Sequence, residues 1–158
     1  MTEDYISILQ DSLEKKIDLL NKIIVRNEQQ RQLFESDKTT PDELDNNIEV
    51  KGRLVDQIIE LDDGFEQLFS RVQEELLEER DRYRDRIALM QESIRRITEL
   101  TAKVESQEQR NRTLAVSFFS GKKSAARQIR KGAAAVSRYY QGMMRSNVIN
   151  PQILDTKE

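Results

Sequence analysis

Apolar residues return every three or four positions along the first 35 residues of the chain. This spacing places them on one face of a helix and predicts an amphipathic helix over residues 4–35. The stripe consists of Ile6, Leu9, Leu13, Ile17, Leu20, Ile24 and Phe34. Residues 27–32 are all polar, so we expect the far end of this helix to be less well packed.

The segment Thr40-Pro41-Asp42-Glu43 has the composition of a helix start. The Thr40 hydroxyl can accept a hydrogen bond from the Glu43 backbone amide, and Pro41 has a suitable φ where its missing N–H costs nothing. Glu43 can reach back to the Thr40 amide, and the two acids suit the positive end of the helix dipole. The sequence therefore predicts that a second helix begins here.

A second stripe follows this cap and favours one long helix over residues 41–119. Asp62-Asp63-Gly64 could instead be a turn, but the stripe keeps its phase from Leu61 to Phe65, so continuity is favoured. Residues 73–86 are highly charged, which we interpret as a solvated helical stretch joined by i,i+4 ion pairs. The stripe is Leu44, Ile48, Lys51, Val55, Ile58, Leu61, Phe65, Leu68, Val72, Leu76, Tyr83, Ile87, Met90, Ile94, Ile97, Thr101 and Val104.

Beyond Ser120-Gly121 a third, shorter stripe predicts a C-terminal amphipathic helix, followed by an irregular tail from Asn147. The members of this stripe are Ala126, Ile129, Ala133, Val136, Tyr140 and Met143. The predicted fold is all-α, an elongated antiparallel helical hairpin or coiled coil with a very long second helix. Residues 1–120 would form the coiled-coil scaffold, and residues 121–158 would belong to the same domain.

Composition agrees with long solvated helices, since 35% of the 158 residues are charged and 37% hydrophobic. The net charge of −3 conceals a strong polarity along the chain. Residues 1–108 carry 16 Lys and Arg against 27 Asp and Glu, whereas residues 109–154 carry nine Lys and Arg and no acid. This asymmetry indicates either a basic interaction segment or two parts of one fold that attract each other.

The residue types present argue against an enzyme. Histidine and cysteine are both absent, which removes the usual general base and the usual ligands of zinc. We expect no catalytic residue, no metal and no cofactor. Gly121-Lys122-Lys123-Ser124 is not a phosphate loop, because Val116 stands where the motif needs glycine. The carboxylates around Glu74 and Glu78 lack the histidines of a di-metal bundle, so a solvated face is the favoured interpretation.

The chain shows neither a signal-peptide pattern nor an apolar run near the roughly 18 residues of a spanning helix. We therefore expect a cytoplasmic protein without stable membrane insertion.

The basic segment, residues 109–154, is compatible with several kinds of binding partner. It could fold back on the acidic part of the chain or bind another protein, and the two are compatible if one face docks and the other stays free. Nucleic acid ranks lower, because residues 1–108 carry a net charge of −11 and would repel a polyanion. A membrane surface also ranks low, since an apolar face made mostly of alanine inserts weakly.

The order of these features resembles the FlgN-type flagellar export chaperones, and the related FliT-like chaperones, which are also small helical hairpins, stay open as an alternative. The first helix is followed by the connector Leu33-Phe34-Glu35-Ser36-Asp37 and by a second helix with Leu44, Lys51, Leu54, Ile58 and Leu61. Gln107, Asn111 and Leu114 resemble the N-x-x-N-x-x-L start of the family's last helix, and a tyrosine before Gly142 resembles its terminal Y-x-x-x-G. The chain departs from the family pattern in Gln107, in its basic last helix and in the tail from Asn147.

The resemblance implies a cytoplasmic chaperone that binds terminal amphipathic helices of hook-filament junction proteins before type III export. Tyr139 or Tyr140 would then dock on the export gate. The predicted partner-binding residues are Phe118, Phe119, Ile129, Ala133, Val136, Tyr139, Tyr140, Met143 and Met144. The alternative is a structural or homo-oligomeric coiled-coil protein with no client-binding role; a basic-helix nucleic-acid binder is a weaker alternative.

Overall fold

A computed structural model of the chain describes residues 2–120. These residues form three α-helices: α1 (Thr2–Glu35), α2 (Pro41–Glu78) and α3 (Arg84–Phe118). At 1.5 Å per residue each helix is roughly 50–57 Å long. The prediction of an all-helical fold is confirmed for this part of the chain.

Helix α1 contributes a regular heptad seam to the core. Its positions 6, 9, 13, 16, 20, 23, 27, 30 and 34 are all buried, with alternating steps of three and four residues. The seam continues through Asn27 and Gln30, which are buried like the leucines before them. The expectation that the polar end of this helix would be less well packed is therefore wrong, because both side chains are buried and their amide nitrogens donate to residues of the other helices.

Helix α2 begins where the sequence predicts. The Thr40 hydroxyl accepts a hydrogen bond from the Glu43 backbone amide at 3.2 Å, and Pro41 is the first helical residue. The helix runs without a break through Asp62-Asp63-Gly64 to Glu78, so the predicted continuity at Gly64 is confirmed.

The single long helix over residues 41–119 is wrong, because the chain turns at residues 79–83 and α3 starts at Arg84. No apolar residue lies between Leu77 and Tyr83, so the heptad positions in this interval have nothing to bury. Tyr83 then closes the turn: its side chain is 3% exposed, and its hydroxyl donates to Glu75 Oε2 at 2.8 Å. The charged stretch 73–86 thus contains the turn between α2 and α3 and is not the middle of one helix.

The turn converts the predicted hairpin into an up-down-up three-helix bundle. Helix α1 packs closely against both neighbours. It is antiparallel to α2, since Thr2 bonds to Glu75 and Gln30 to Asn47. It is parallel to α3, since Gln10 bonds to Ser93 and Asn27 to Gln107. One end of the bundle therefore holds the 79–83 turn, and the other holds the 36–40 connector together with the end of α3.

The apolar core is divided into two clusters. The larger extends from Ile6 to Ile23 on α1, from Val55 to Leu76 on α2 and from Tyr83 to Val104 at the start and middle of α3. The smaller consists of Phe34, Leu44 and Ala115, with Leu33, Ile48, Leu114, Phe118 and Phe119 packed against it. We call this second cluster the aromatic end of the bundle.

Candidate functional site

A layer of buried polar side chains separates the two apolar clusters. All three helices contribute to this polar layer: Asn27, Gln30, Asn47, Lys51, Gln107, Glu108 and Asn111, each less than 9% exposed. They occupy or adjoin the same seam positions as the core residues. Burial of so many polar groups is tolerated only when they bond to one another.

Amide groups connect α1 to α3 within this layer. Asn27 Nδ2 donates to Gln107 Oε1 at 3.2 Å, and Gln107 Nε2 donates to the carbonyl oxygen of Ile24 at 3.2 Å. Asn111 Nδ2 donates to the carbonyl oxygen of Asn27 at 2.8 Å and to Gln30 Oε1 at 3.1 Å. Each bond needs a specific pair of positions, so the network fixes the register of α1 against α3.

A second set of bonds connects α1 to α2. Gln30 Nε2 donates to Asn47 Oδ1 at 3.1 Å, and Asn47 Nδ2 donates to the carbonyl oxygen of Arg26 at 3.0 Å. Lys51 is 4% exposed; its Nζ forms an ion pair with Glu108 of α3 and also donates to Gln30 Oε1 at 3.5 Å. This lysine therefore contacts both other helices.

A further buried ion pair lies within the larger cluster. Lys16 Nζ of α1 donates to Asp62 Oδ1 of α2 at 2.7 Å, with the two side chains 6% and 15% exposed. Burial raises the pKa of the Asp62 carboxyl, and the charge of Lys16 counteracts this only in part. The pair joins α1 and α2 immediately before Gly64.

The aromatic end contains three phenylalanine rings that contact one another. The ring centroids of Phe34 and Phe118 lie 5.6 Å apart, and those of Phe34 and Phe119 lie 6.0 Å apart. Phe118 and Phe119 meet edge to face at 4.8 Å, a favourable geometry for aromatic pairs. Phe34 is buried, whereas Phe118 and Phe119 are only partly buried. The cluster is therefore a packed unit that still presents aromatic surface.

Only two of the predicted partner-binding residues fall within the described part of the chain. Phe118 and Phe119 come together with Phe34 at the point where α3 ends. The other predicted members lie outside the described residues: Ile129, Ala133, Val136, Tyr139, Tyr140, Met143 and Met144.

The polar layer was missed by pattern reasoning, although a signal for it exists in the sequence. Lys51 stands on the apolar stripe of α2, and Asn27 and Gln30 continue the three-and-four spacing of α1. Polar residues at successive seam positions on three helices can be satisfied by bonding to one another. Gln107 and Asn111, which carry part of the family resemblance, lie inside α3 and belong to this layer.

Similarity to known proteins gives no information about the function of this chain. The chain matches no protein-family model, no curated protein and no solved structure. Among residues 2–120, acidic side chains are nowhere grouped in a way that could hold a metal ion. In the same range, none of the helices combines the length and apolarity needed to cross a bilayer.

Proposed function

We propose that this protein is a cytoplasmic flagellar export chaperone of the FlgN type, which binds terminal amphipathic helices of hook-filament junction proteins. The three-helix bundle would act as a scaffold. The client would be held by the aromatic end together with the C-terminal segment, and no step of this activity requires a catalytic residue or a cofactor.

The observation that carries the proposal is the position of the aromatic end. Phe118 and Phe119 are partly buried and close the bundle where α3 ends, immediately before the segment with the predicted apolar stripe. The part of these two rings that stays accessible would form one surface with the predicted stripe, which follows them in the sequence and contains Ile129, Val136 and Met143. An amphipathic client helix could cover such a surface by helix-in-groove packing, and methionine adapts to varied partners.

The bundle itself supports the role of a scaffold. Its polar layer fixes the helix register, so the aromatic end is held at a defined position relative to α1 and α2. The remaining steps follow from the family resemblance: Tyr139 or Tyr140 would dock the loaded chaperone on the export gate.

The test uses pull-down of a hook-filament junction protein by the full chain and by variants of the C-terminal stripe. The double variant I129E/V136E places two charges on the stripe, and we expect it to lose client binding. The control variant Q128E/S137E adds the same two charges at neighbouring positions off the stripe and should retain binding. Circular dichroism should show both variants to be as helical as the wild type.

A chain shortened by removal of residues 122–158 should also lose the client while its three-helix bundle stays folded, as shown by an unchanged unfolding transition. Retained binding by I129E/V136E or by the shortened chain would contradict the proposal. In that case the rival explanation, a structural coiled-coil assembly, predicts a stable dimer by sedimentation.

A further inference from the structure

A groove runs along the outer side of the α1–α2 pair, in the half of the bundle away from the aromatic end. It is open to solvent, and its volume is about 450 Å³. Its lining residues alternate between the two helices: Ser12, Lys15 and Leu19 from α1, and Gln57, Leu61 and Gly64 from α2. The functional site proposed above does not use this surface.

The centre of the groove is open because its residues are small. Gly64 has no side chain, and a Cβ atom built there would meet no atom within 4 Å. Ser12 lies at the corresponding level of the antiparallel α1. A glycine inside a helix costs about 1 kcal/mol relative to alanine, and the bundle obtains no close backbone approach at Gly64 in return. The depression is therefore space that another molecule can fill.

Apolar side chains continue the groove on both helices. Ile8 lies one turn before Ser12 on the same face of α1 and is 51% exposed. Leu68 lies one turn after Gly64 on α2 and is only partly buried. Between them lie Leu61, which is also partly buried, and Leu19, which is 8% exposed, so the apolar surface of the groove is provided mainly by Ile8, Leu61 and Leu68.

The wall formed by α2 is strongly acidic. Residues 56–66 contain Asp56, Glu60, Asp62, Asp63 and Glu66 and no Lys or Arg. Asp56, Glu60 and Asp63 share one exposed face of α2 and Glu60 also lines the groove, whereas Glu66 lies on a different face and Asp62 pairs with the buried Lys16. On the α1 side, Lys15 and Asp18 line the groove. The potential along the groove therefore favours a cationic partner.

We propose that this groove binds an amphipathic helix of a partner protein, whose apolar stripe is flanked by Lys and Arg. One bulky side chain of the stripe would enter the depression between Ser12 and Gly64, and the basic flanks would face the carboxylates of α2. This is helix-in-groove recognition with charge complementarity at the rim. It does not depend on the proposed chaperone function.

The experiment measures binding of a synthetic helical peptide to the full chain by fluorescence anisotropy. The probe is a 21-residue peptide with a Leu stripe flanked by Lys, and its counterpart carries Glu in place of every Lys. We expect the Lys peptide to bind more weakly as salt is added and the Glu peptide not to bind.

Substitution Gly64→Leu fills the depression and should weaken binding of the Lys peptide at least tenfold. It should not unfold α2, since leucine is the better helix former and has room there. The matched control is Gly52→Leu, because Gly52 lies on the same helix, also has no atom within 4 Å of an added Cβ, and does not line the groove. Equal affinity of the wild type and Gly64→Leu would overturn the proposal.

A second measurement identifies other occupants. The chain has no cysteine, so Gln57→Cys offers a single site in the groove for a paramagnetic label. Broadening of signals from residues 121–158 at every protein concentration would mean that the chain's own segment fills the groove. Broadening that increases with concentration would mean a second copy. Either result overturns the proposal, whereas an unbroadened spectrum that changes on addition of the Lys peptide supports it.

Discussion

The sequence places Lys51 on the apolar stripe of α2, but the residues around its side chain are polar. It is buried in the polar layer, bonded to Glu108 of α3 and to Gln30 of α1. Removal of ions from water is costly, so a buried pair adds little net stability, but loss of one partner leaves the other charge unpaired. The pair therefore contributes more to the choice of register than to stability.

Substitution Lys51→Met should lower the free energy of unfolding by about 3 kcal/mol, because Glu108 would remain buried without a counter-ion. Urea denaturation followed by circular dichroism measures the change. The double variant K51M/E108L removes both charges and should come within about 1 kcal/mol of the wild type. If K51M alone were as stable as the wild type, the pair would not be buried as described.

At the scale of the elements, the 79–83 turn decides the topology, and Glu75 holds it in place. Thr2 Oγ1 donates to Glu75 Oε1 at 2.6 Å, and the Tyr83 hydroxyl donates to Glu75 Oε2 at 2.8 Å. One carboxylate thus joins the start of α1, the end of α2 and the residue before α3. These two hydrogen bonds, the Thr2 bond first, lower the pKa of Glu75 below its ordinary value of 4.5.

Variants T2V and Y83F should each raise the pKa of Glu75 toward 4.5, as observed in an NMR titration of its carboxyl carbon. A carboxyl whose pKa is lowered on folding adds stability above its unfolded pKa, and this is lost as the pH falls through the lowered value. The stability difference between wild type and each variant should therefore be greatest near neutral pH and shrink below about pH 4.5. A difference independent of pH would show that packing alone is responsible.

At the scale of the whole molecule, the polar layer divides the core into two unequal parts. The larger cluster extends to the end of the bundle that holds the 79–83 turn, whereas the aromatic end is a small cluster beyond the polar layer. Local opening is easiest where few buried apolar contacts must be broken. The aromatic end should therefore open independently of the rest of the bundle.

Hydrogen exchange measured by mass spectrometry on the full chain tests this prediction. Amides near Phe34, Leu44 and Ala115 should exchange at least tenfold faster than those near Leu9, Leu76 and Met90. The second group lies toward the opposite end of the bundle and serves as the control for fraying of helix ends. Equal protection at both ends would mean that the bundle opens only as one unit.

The sequence determined those features that depend on neighbours along the chain. Spacing of apolar residues specified helix over residues 4–35 and over most of residues 41–119, the Thr40 hydroxyl and Pro41 specified the start of α2, and unbroken phase specified helix through Gly64. Each of these features depends on residues that are close together in the chain, where backbone geometry allows few conformations. The FlgN-type function, by contrast, stays a prediction that rests on resemblance and on the aromatic end.

The tertiary structure decided what depends on residues distant in sequence. The turn at residues 79–83 lacks glycine and proline, and it is stabilised by Tyr83 and Thr2 meeting at Glu75. The burial of Asn27, Lys51 and Asn111 is possible only because three helices bring their polar groups within bonding distance. A polar side chain alone predicts exposure, but partners that lie 21 to 84 positions away in the chain allow these side chains to be buried.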